Sequence, residues 1–207
     1  MRRPYRPKRR AETTAETRRR IVAAVMALHT EQGIAATSMK QIAARADVGI
    51  GTVYHHFPTY SEAILACGAQ TQEDVPAPDV EMLADAHSRT ERVRRLAAVL
   101  FAYYQRLPVL EWVRRDRDFD PSLGVFLAAE ADNRHRLAAR ALDFADPGDA
   151  RVATTAALLD FGTCRALVAG GLTHAAAAER IAEVINVWLD NAAAPDQTDT
   201  TTNSRKD

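Results

Sequence analysis

The stretch from Thr37 to Phe57, TSMKQIAARADVGIGTVYHHF, limits what this chain can fold into more than any other. Ser38 is a good N-cap and Gln41 stands three residues on, which predicts a capping box at a helix start. Met39, Ile42 and Ala43 then supply one apolar face at helical spacing. Ala46-Asp47-Val48-Gly49 predicts a stop, because Asp tolerates the left-handed backbone of a turn and Gly reaches it freely. A second short helix is expected from Ile50 to about His56, and Pro58 bars its continuation. Two short helices around a tight turn make a helix-turn-helix, whose second helix enters a DNA major groove.

The second helix has a surface suited to that task. Val53 and Phe57 lie four apart and anchor it to a core. Ile50 and Thr52 are candidates for base contact, Thr52 through a base edge or a thymine methyl. Gly51 allows a close approach of the duplex. Ser38, Lys40, Tyr54, His55 and His56 are candidates for phosphate contact.

Charge supports nucleic acid at one end only. The chain balances 27 Lys+Arg against 27 Asp+Glu, yet residues 1–60 hold 11 basic residues and 4 acids, leaving 16 against 23 in the remainder. A basic module on an acidic body does not describe a protein that coats DNA with its whole surface. Residues 1–11, MRRPYRPKRRA, read as a disordered basic arm, suited to phosphates or the minor groove and equally to a plain solubilising tail.

Ser38-Met39-Lys40-Gln41-Ile42-Ala43, Val48 and Gly51-Thr52-Val53-Tyr54-His55-His56-Phe57 resemble the DNA-binding signature of TetR-type transcriptional regulators. The resemblance is specific from Ile21 to Leu65; beyond that it is one of length and helical layout. There are three departures. Asp47 stands at a usual Gly, Gly49 replaces the usual Ser cap, and Tyr60 replaces a Lys that commonly binds phosphate in that family. The family implies a homodimer, a ligand cavity in the helical body, and a fourth helix that moves the DNA-binding head when ligand binds.

The rest of the chain reads as helix throughout. Helix one is expected over Thr13 to Gln32, capped by Thr13 with Glu16 and ended by Gly33, with Ile21, Val22, Val25, Met26 and Leu28 buried. His29 reads as a core-edge histidine with a hydrogen-bond partner. A fourth helix follows Thr59 to about Asp74, and Val75-Pro76-Ala77-Pro78 breaks the chain. Residues 79–87 read as a short helix or ordered loop. Helices are then expected over Arg89 to Leu107, Val109 to Arg115, Pro121 to about Phe144, Asp149 to about Val168 and Thr173 to about Ala193. Pro147-Gly148 reads as a turn. The polar tail from Pro195 to Asp207 is expected to be disordered.

No catalytic motif is present: no phosphate-binding Gly loop, no G-x-S-x-G elbow, no H-E-x-x-H. Cys67 and Cys164 are far apart and suggest neither a disulfide framework nor a zinc site. No apolar run is long enough to span a membrane, and the basic start lacks the apolar segment of a signal peptide. A cytoplasmic protein without cofactor, metal or enzymatic activity is expected.

The sequence therefore predicts an all-α protein: a basic arm (1–11), a three-helix DNA-binding domain with a helix-turn-helix (12–58), a larger helical regulatory and dimerisation domain (59–194) and a tail (195–207). Its partners would be a double-stranded palindromic DNA operator, a small, partly apolar effector that releases it, and a second copy joined through helices at about 149–168 and 173–193. The action expected is repression. Tyr104, Trp112, Phe126 and Phe161, with Cys164 or Arg165 as polar companions, are the ligand candidates. The rival classes are an architectural DNA-binding protein without a ligand and a helical enzyme carrying a helix-turn-helix-like module. The first predicts a body without a cavity, and the second needs paired catalytic side chains.

Overall fold

A computed structural model describes residues 7–144, 146 and 148–192, with side chains from residue 14 on. The start of the expected arm (1–6), Pro147 of the expected turn and the whole expected tail lie outside the described residues. Among the described residues the chain forms ten α-helices, one 3-10 turn and no strand.

Helix α1 is Pro7–Gln32. A proline at the first helical position has the right fixed φ and lacks only an N–H that would be orphaned there. The start expected at Thr13 is therefore late, and residues 7–11 have a helical backbone rather than that of a disordered arm. Gly33 ends the helix at φ +95, and a Cβ there would lie 2.7 Å from Cε3 of Trp112. Only glycine meets both conditions.

The two short helices form as the sequence predicts. In α2 (Met39–Arg45) the Ser38 hydroxyl accepts from the Gln41 N–H and the Gln41 side chain accepts from the Ser38 N–H. Asp47 takes the turn at φ 52. In α3 (Ile50–His56), Gly49 caps with extended backbone and no side-chain hydrogen bond. Helix α4 (Tyr60–Asp74) starts at Thr59, whose hydroxyl accepts from the Glu62 N–H.

The 3-10 turn is Val80–Leu83. Then follow α5 (Arg89–Gln105), α6 (Leu110–Arg115), α7 (Pro121–Leu142), α8 (Ala150–Leu158), α9 (Phe161–Ala169) and α10 (His174–Ala192). The single helix expected over 149–168 is two. Asp160 interrupts it by accepting from the Gly162 N–H at 2.7 Å, an N-cap inside an otherwise apolar run. The two halves meet at 41°, and no single helix among the described residues is long and apolar enough to cross a membrane.

The chain divides into two compact units. The first comprises residues 1–78 and 103–133, the second residues 79–102 and 134–207. The first is centred on Ile21, Val25, Ile42 and Val53, all fully buried, with Leu28, Phe57 and Ala63 around them. Apart from Ala63, each such side chain contributes about 1.5–3 kcal/mol on burial.

In the second unit, Ala177, Ala178 and Ala182 of α10 are buried; their small size lets α9 and α8 approach closely. Arg134 is a buried cation there. Its Nε donates to the Ala156 carbonyl at 2.9 Å and its guanidinium pairs with Asp160 at 3.3 Å. The residue that breaks α8 from α9 is thus also the counter-ion that Arg134 requires.

Candidate functional site

Helix α3 is held by Val53, fully buried, and presents the opposite face outward. Ile50 is 46% and Tyr54 48% exposed, and both are large apolar bodies that a soluble surface does not need there. Gly51 has no heavy atom within 4 Å of a Cβ position, so this point of the helix is open to an approaching surface. Thr52 is half-buried and His55 exposed. His56 is half-buried; burial, then His55 and Arg18, lower its pKa, so at neutral pH it offers an uncharged N–H. Ser38 and Lys40 are exposed on α2. The Ser38 hydroxyl lies 2.7 Å from Oε1 of Gln41, so a phosphate would compete with its own capping box.

Neighbouring cations are partly engaged. Arg18 stacks over Phe57 at 5.0 Å, Arg19 pairs with Glu16, and Arg45 makes a forked pair with Glu31 at 2.9 and 2.5 Å. Arg20 and Lys40 are exposed with no ion partner among the described residues. They are the cations that phosphates would meet first.

Tyr60, at the position where a phosphate-binding Lys would be usual, points inward. Its hydroxyl lies 2.6 Å from the Ile34 carbonyl and 2.9 Å from Nε2 of His29. A carbonyl cannot donate, so the Tyr60 proton lies toward Ile34 and the His29 nitrogen must carry its own hydrogen. Burial pushes the Tyr60 pKa up and the His29 pKa down to about 4, against a weaker opposite pull from Asp116 on His29. Both are neutral at physiological pH. Asp116, after α6, completes this region: its Oδ2 accepts from the Ile34 and Ala35 N–H groups at 2.8 and 2.9 Å. The loop between α1 and α2 is thus tied at its carbonyl to α4 and at its amides to the end of α6.

A cavity of about 340 Å³ lies within the same unit, at the lower end of the size of small-molecule sites. One wall is His29 and Ile34. A second is the face of α4 that carries Ile64, Cys67 and Thr71. Leu107, Leu110 and Val113 close it from the α6 side, and Leu123 and Phe126 from α7. No Lys, Arg, Asp or Glu lines it. Cys67 is pushed up to about 11 by burial and stays a thiol at neutral pH.

Of the six ligand candidates read from the sequence, Phe126 alone lines this cavity. Tyr104 is buried and its hydroxyl donates to Glu130 at 3.0 Å. Trp112 packs on Gly33 and donates its indole N–H to the Thr30 carbonyl at 3.1 Å. Phe161 and Cys164 are buried in the second unit, where Arg165 is exposed. Large aromatic rings are drawn into packing; the cavity walls are mostly aliphatic. The residues that sequence reasoning missed are His29, Tyr60 and Asp116 as a linked set. The signal for the first two was present, a buried histidine in need of a partner and a tyrosine in a lysine's place. Asp116 gave none, because it sits in a mixed-charge run that reads as a solvated loop.

Residues 21–63 match the family of bacterial regulatory proteins described as "Bacterial regulatory proteins, tetR family". The HTH-type transcriptional repressor KstR of Rhodococcus jostii is 29% identical over 150 residues, 70% of this chain and 68% of that protein. KstR of Mycolicibacterium smegmatis is 28% identical over 100 residues, 48% of this chain and 49% of that protein, so the matched segment spans about half of that relative. Among solved structures, the multidrug binding protein EbrR complexed with malachite green is 25% identical with a TM-score of 0.59, covering 82% of this chain and 96% of that one. A transcriptional regulator from Rhodococcus sp. Rha1 has a TM-score of 0.62 at 21% identity, covering 84% and 96%, which speaks to fold alone.

Proposed function

We propose that this chain, a TetR-family transcriptional regulator, is a repressor that binds a palindromic operator as a dimer and is released by a small, partly apolar ligand. The observation that carries the reading is α3, anchored by buried Val53 while Ile50, Gly51, Tyr54 and His55 face outward. Each copy would place α3 in one major groove, with half-sites about 34–36 Å apart or a multiple of that. Ile50 and Thr52 would read bases; Ser38, Lys40, Tyr54, His55 and His56 would hold phosphates. Residues 12–58 would bind DNA and residues 59–194 regulate and dimerise, with the chain otherwise confined to the cytoplasm and without catalytic chemistry.

Pairing of two copies is supported by α10. It buries Ile181, Ile185 and Leu189 on one side and leaves Val184 and Val187 exposed, Val187 at 60%. Helix α9 adds exposed small residues, Gly162, Ala166 and Ala169, at one-turn spacing. Release by a ligand is supported by the cavity, which the architectural alternative does not need. A ligand favouring the DNA-incompetent state lowers operator affinity by a coupling of typically ~1–3 kcal/mol.

The test is selection of bound DNA from a random-sequence pool at near-physiological salt, since phosphate contacts alone retain DNA at low ionic strength. An enriched palindrome is the expected result; absence of any enriched sequence overturns the operator-specific reading. On the recovered operator, Thr52→Ala should change preference at one base position by about 1–3 kcal/mol. Tyr54→Phe should weaken all sites alike.

A further inference from the structure

The cavity wall holds a buried ring nitrogen whose hydrogen-bonding capacity is not used. His29 is 2% exposed and lines the cavity. Its Nε2–H is committed to Tyr60, whose own proton goes to the Ile34 carbonyl. The neutral ring therefore presents Nδ1 as a bare acceptor, and Nδ1 has no hydrogen-bond partner among the described residues. The buried ring borders the cavity, and Nδ1 is its nitrogen without a partner among the described residues.

The hydroxyl protons of the wall are already donated. The Thr71 hydroxyl donates to the Cys67 carbonyl at 2.9 Å and the Ser122 hydroxyl to Asp120 at 2.6 Å. Gln72 is exposed. The two carboxylates beside the wall, Asp116 and Asp120, are held by the Ile34 and Ala35 amides and by Ser122. No charged side chain lines the wall itself, so a ligand ion would be desolvated without a directly bonded counter-ion there. A ligand hydrogen-bond donor finds an unpartnered buried acceptor in Nδ1 of His29.

We propose that the cavity takes an uncharged, mainly aliphatic ligand bearing a hydroxyl donor, and that this hydroxyl donates to Nδ1 of His29. This deepens the regulator reading and rests on it for any effect on DNA. The opposite nitrogen of the same ring is joined through Tyr60 to the loop that leads into α2, so the ligand's polar end meets the DNA-binding head directly.

Four probes of equal chain length test the class on the full chain by equilibrium titration of tryptophan fluorescence or heat: 1-decanol, its methyl ether, decanoate and decyltrimethylammonium, each below its micellar concentration. The alcohol should bind roughly 10-fold tighter than the ether and tighter than both ions, the size expected for one buried hydrogen bond. In His29→Leu the alcohol should fall to the affinity of the ether while the ether keeps its own. Equal binding of alcohol and ether by the unaltered chain overturns the proposal, as does preference for either ion or binding of none of the four. That comparison needs no variant, so misfolding of His29→Leu cannot obscure it. Failure of the regulator reading is seen separately, as a random pool that yields no operator while the alcohol still outbinds its ether.

Discussion

The two units of this molecule use polar groups in opposite ways. In the first, the polar groups His29, Tyr60 and Asp116 sit at a loop, beside a cavity, and hold backbone rather than one another's charge. In the second, buried Arg134 pairs with half-buried Asp160 at a helix break, and Asn186 donates to the Ala182 carbonyl within α10. The first arrangement joins pieces that can shift by exchanging single hydrogen bonds. The second locks helices whose separation would expose an uncompensated charge. On the proposed reading, the first is the region whose hydrogen bonds a small molecule would alter.

The largest test of that contrast is Arg134→Met. It removes the cation of the pair and its bond to the Ala156 carbonyl and should cost about 3 kcal/mol in a urea titration, while the folded fraction keeps its operator affinity; a matching fall in affinity would break the contrast. Acid comes next. The His29 pKa falls from 6.5 in the unfolded chain to about 4 in the folded one. The unfolded chain therefore takes up the proton first. Stability from this group is complete above pH 6.5, declines as pH falls, and is lost near pH 4, by up to about 3 kcal/mol. Urea titrations at pH 7.5 and 4.5 should show that loss in the native chain and a smaller one in His29→Gln.

Asp116→Ala leaves the Ile34 and Ala35 amides without their acceptor and should cost about 1–3 kcal/mol. Unlike Arg134→Met, it should also change operator affinity, measured on the recovered palindrome. The smallest effect belongs to Thr155→Val. The Thr155 hydroxyl is fully buried without a partner, so its replacement by a methyl of the same shape should stabilise by at most about 1 kcal/mol, read as a small rise in melting temperature.

What was legible in the sequence was local. Ser38 with Gln41, Asp47 at the turn, Gly33 after α1 and Thr59 before α4 each act within four residues of themselves, and each does what its chemistry predicts. The family resemblance over Ile21 to Leu65 agrees with the matched residues 21–63. The break at Asp160 was equally local but concealed, since an aspartate within a helical period reads as a surface position until Arg134 is seen beside it. The cavity was not legible at all. Its walls come from four separate stretches of chain, and the residues that shape it are ordinary leucines and isoleucines, indistinguishable in sequence from core. Of the aromatics chosen as ligand candidates Phe126 lines the cavity, as does His29, which reads locally as a buried histidine with a partner and gives no sign of its place in that wall.

On the proposed reading, Gly33 and its surroundings bear on the engineering of hybrid regulators. The obvious seam for exchanging DNA specificity is near residue 58, where the helix-turn-helix ends. A graft there would carry a foreign loop against Trp112, which leaves no room for a side chain at position 33, and against Asp116, which expects two free amides. It would also separate Tyr60 from His29 and Ile34. On the same reading, a transplant should instead move residues 1–78 together with 103–133 as one exchangeable part.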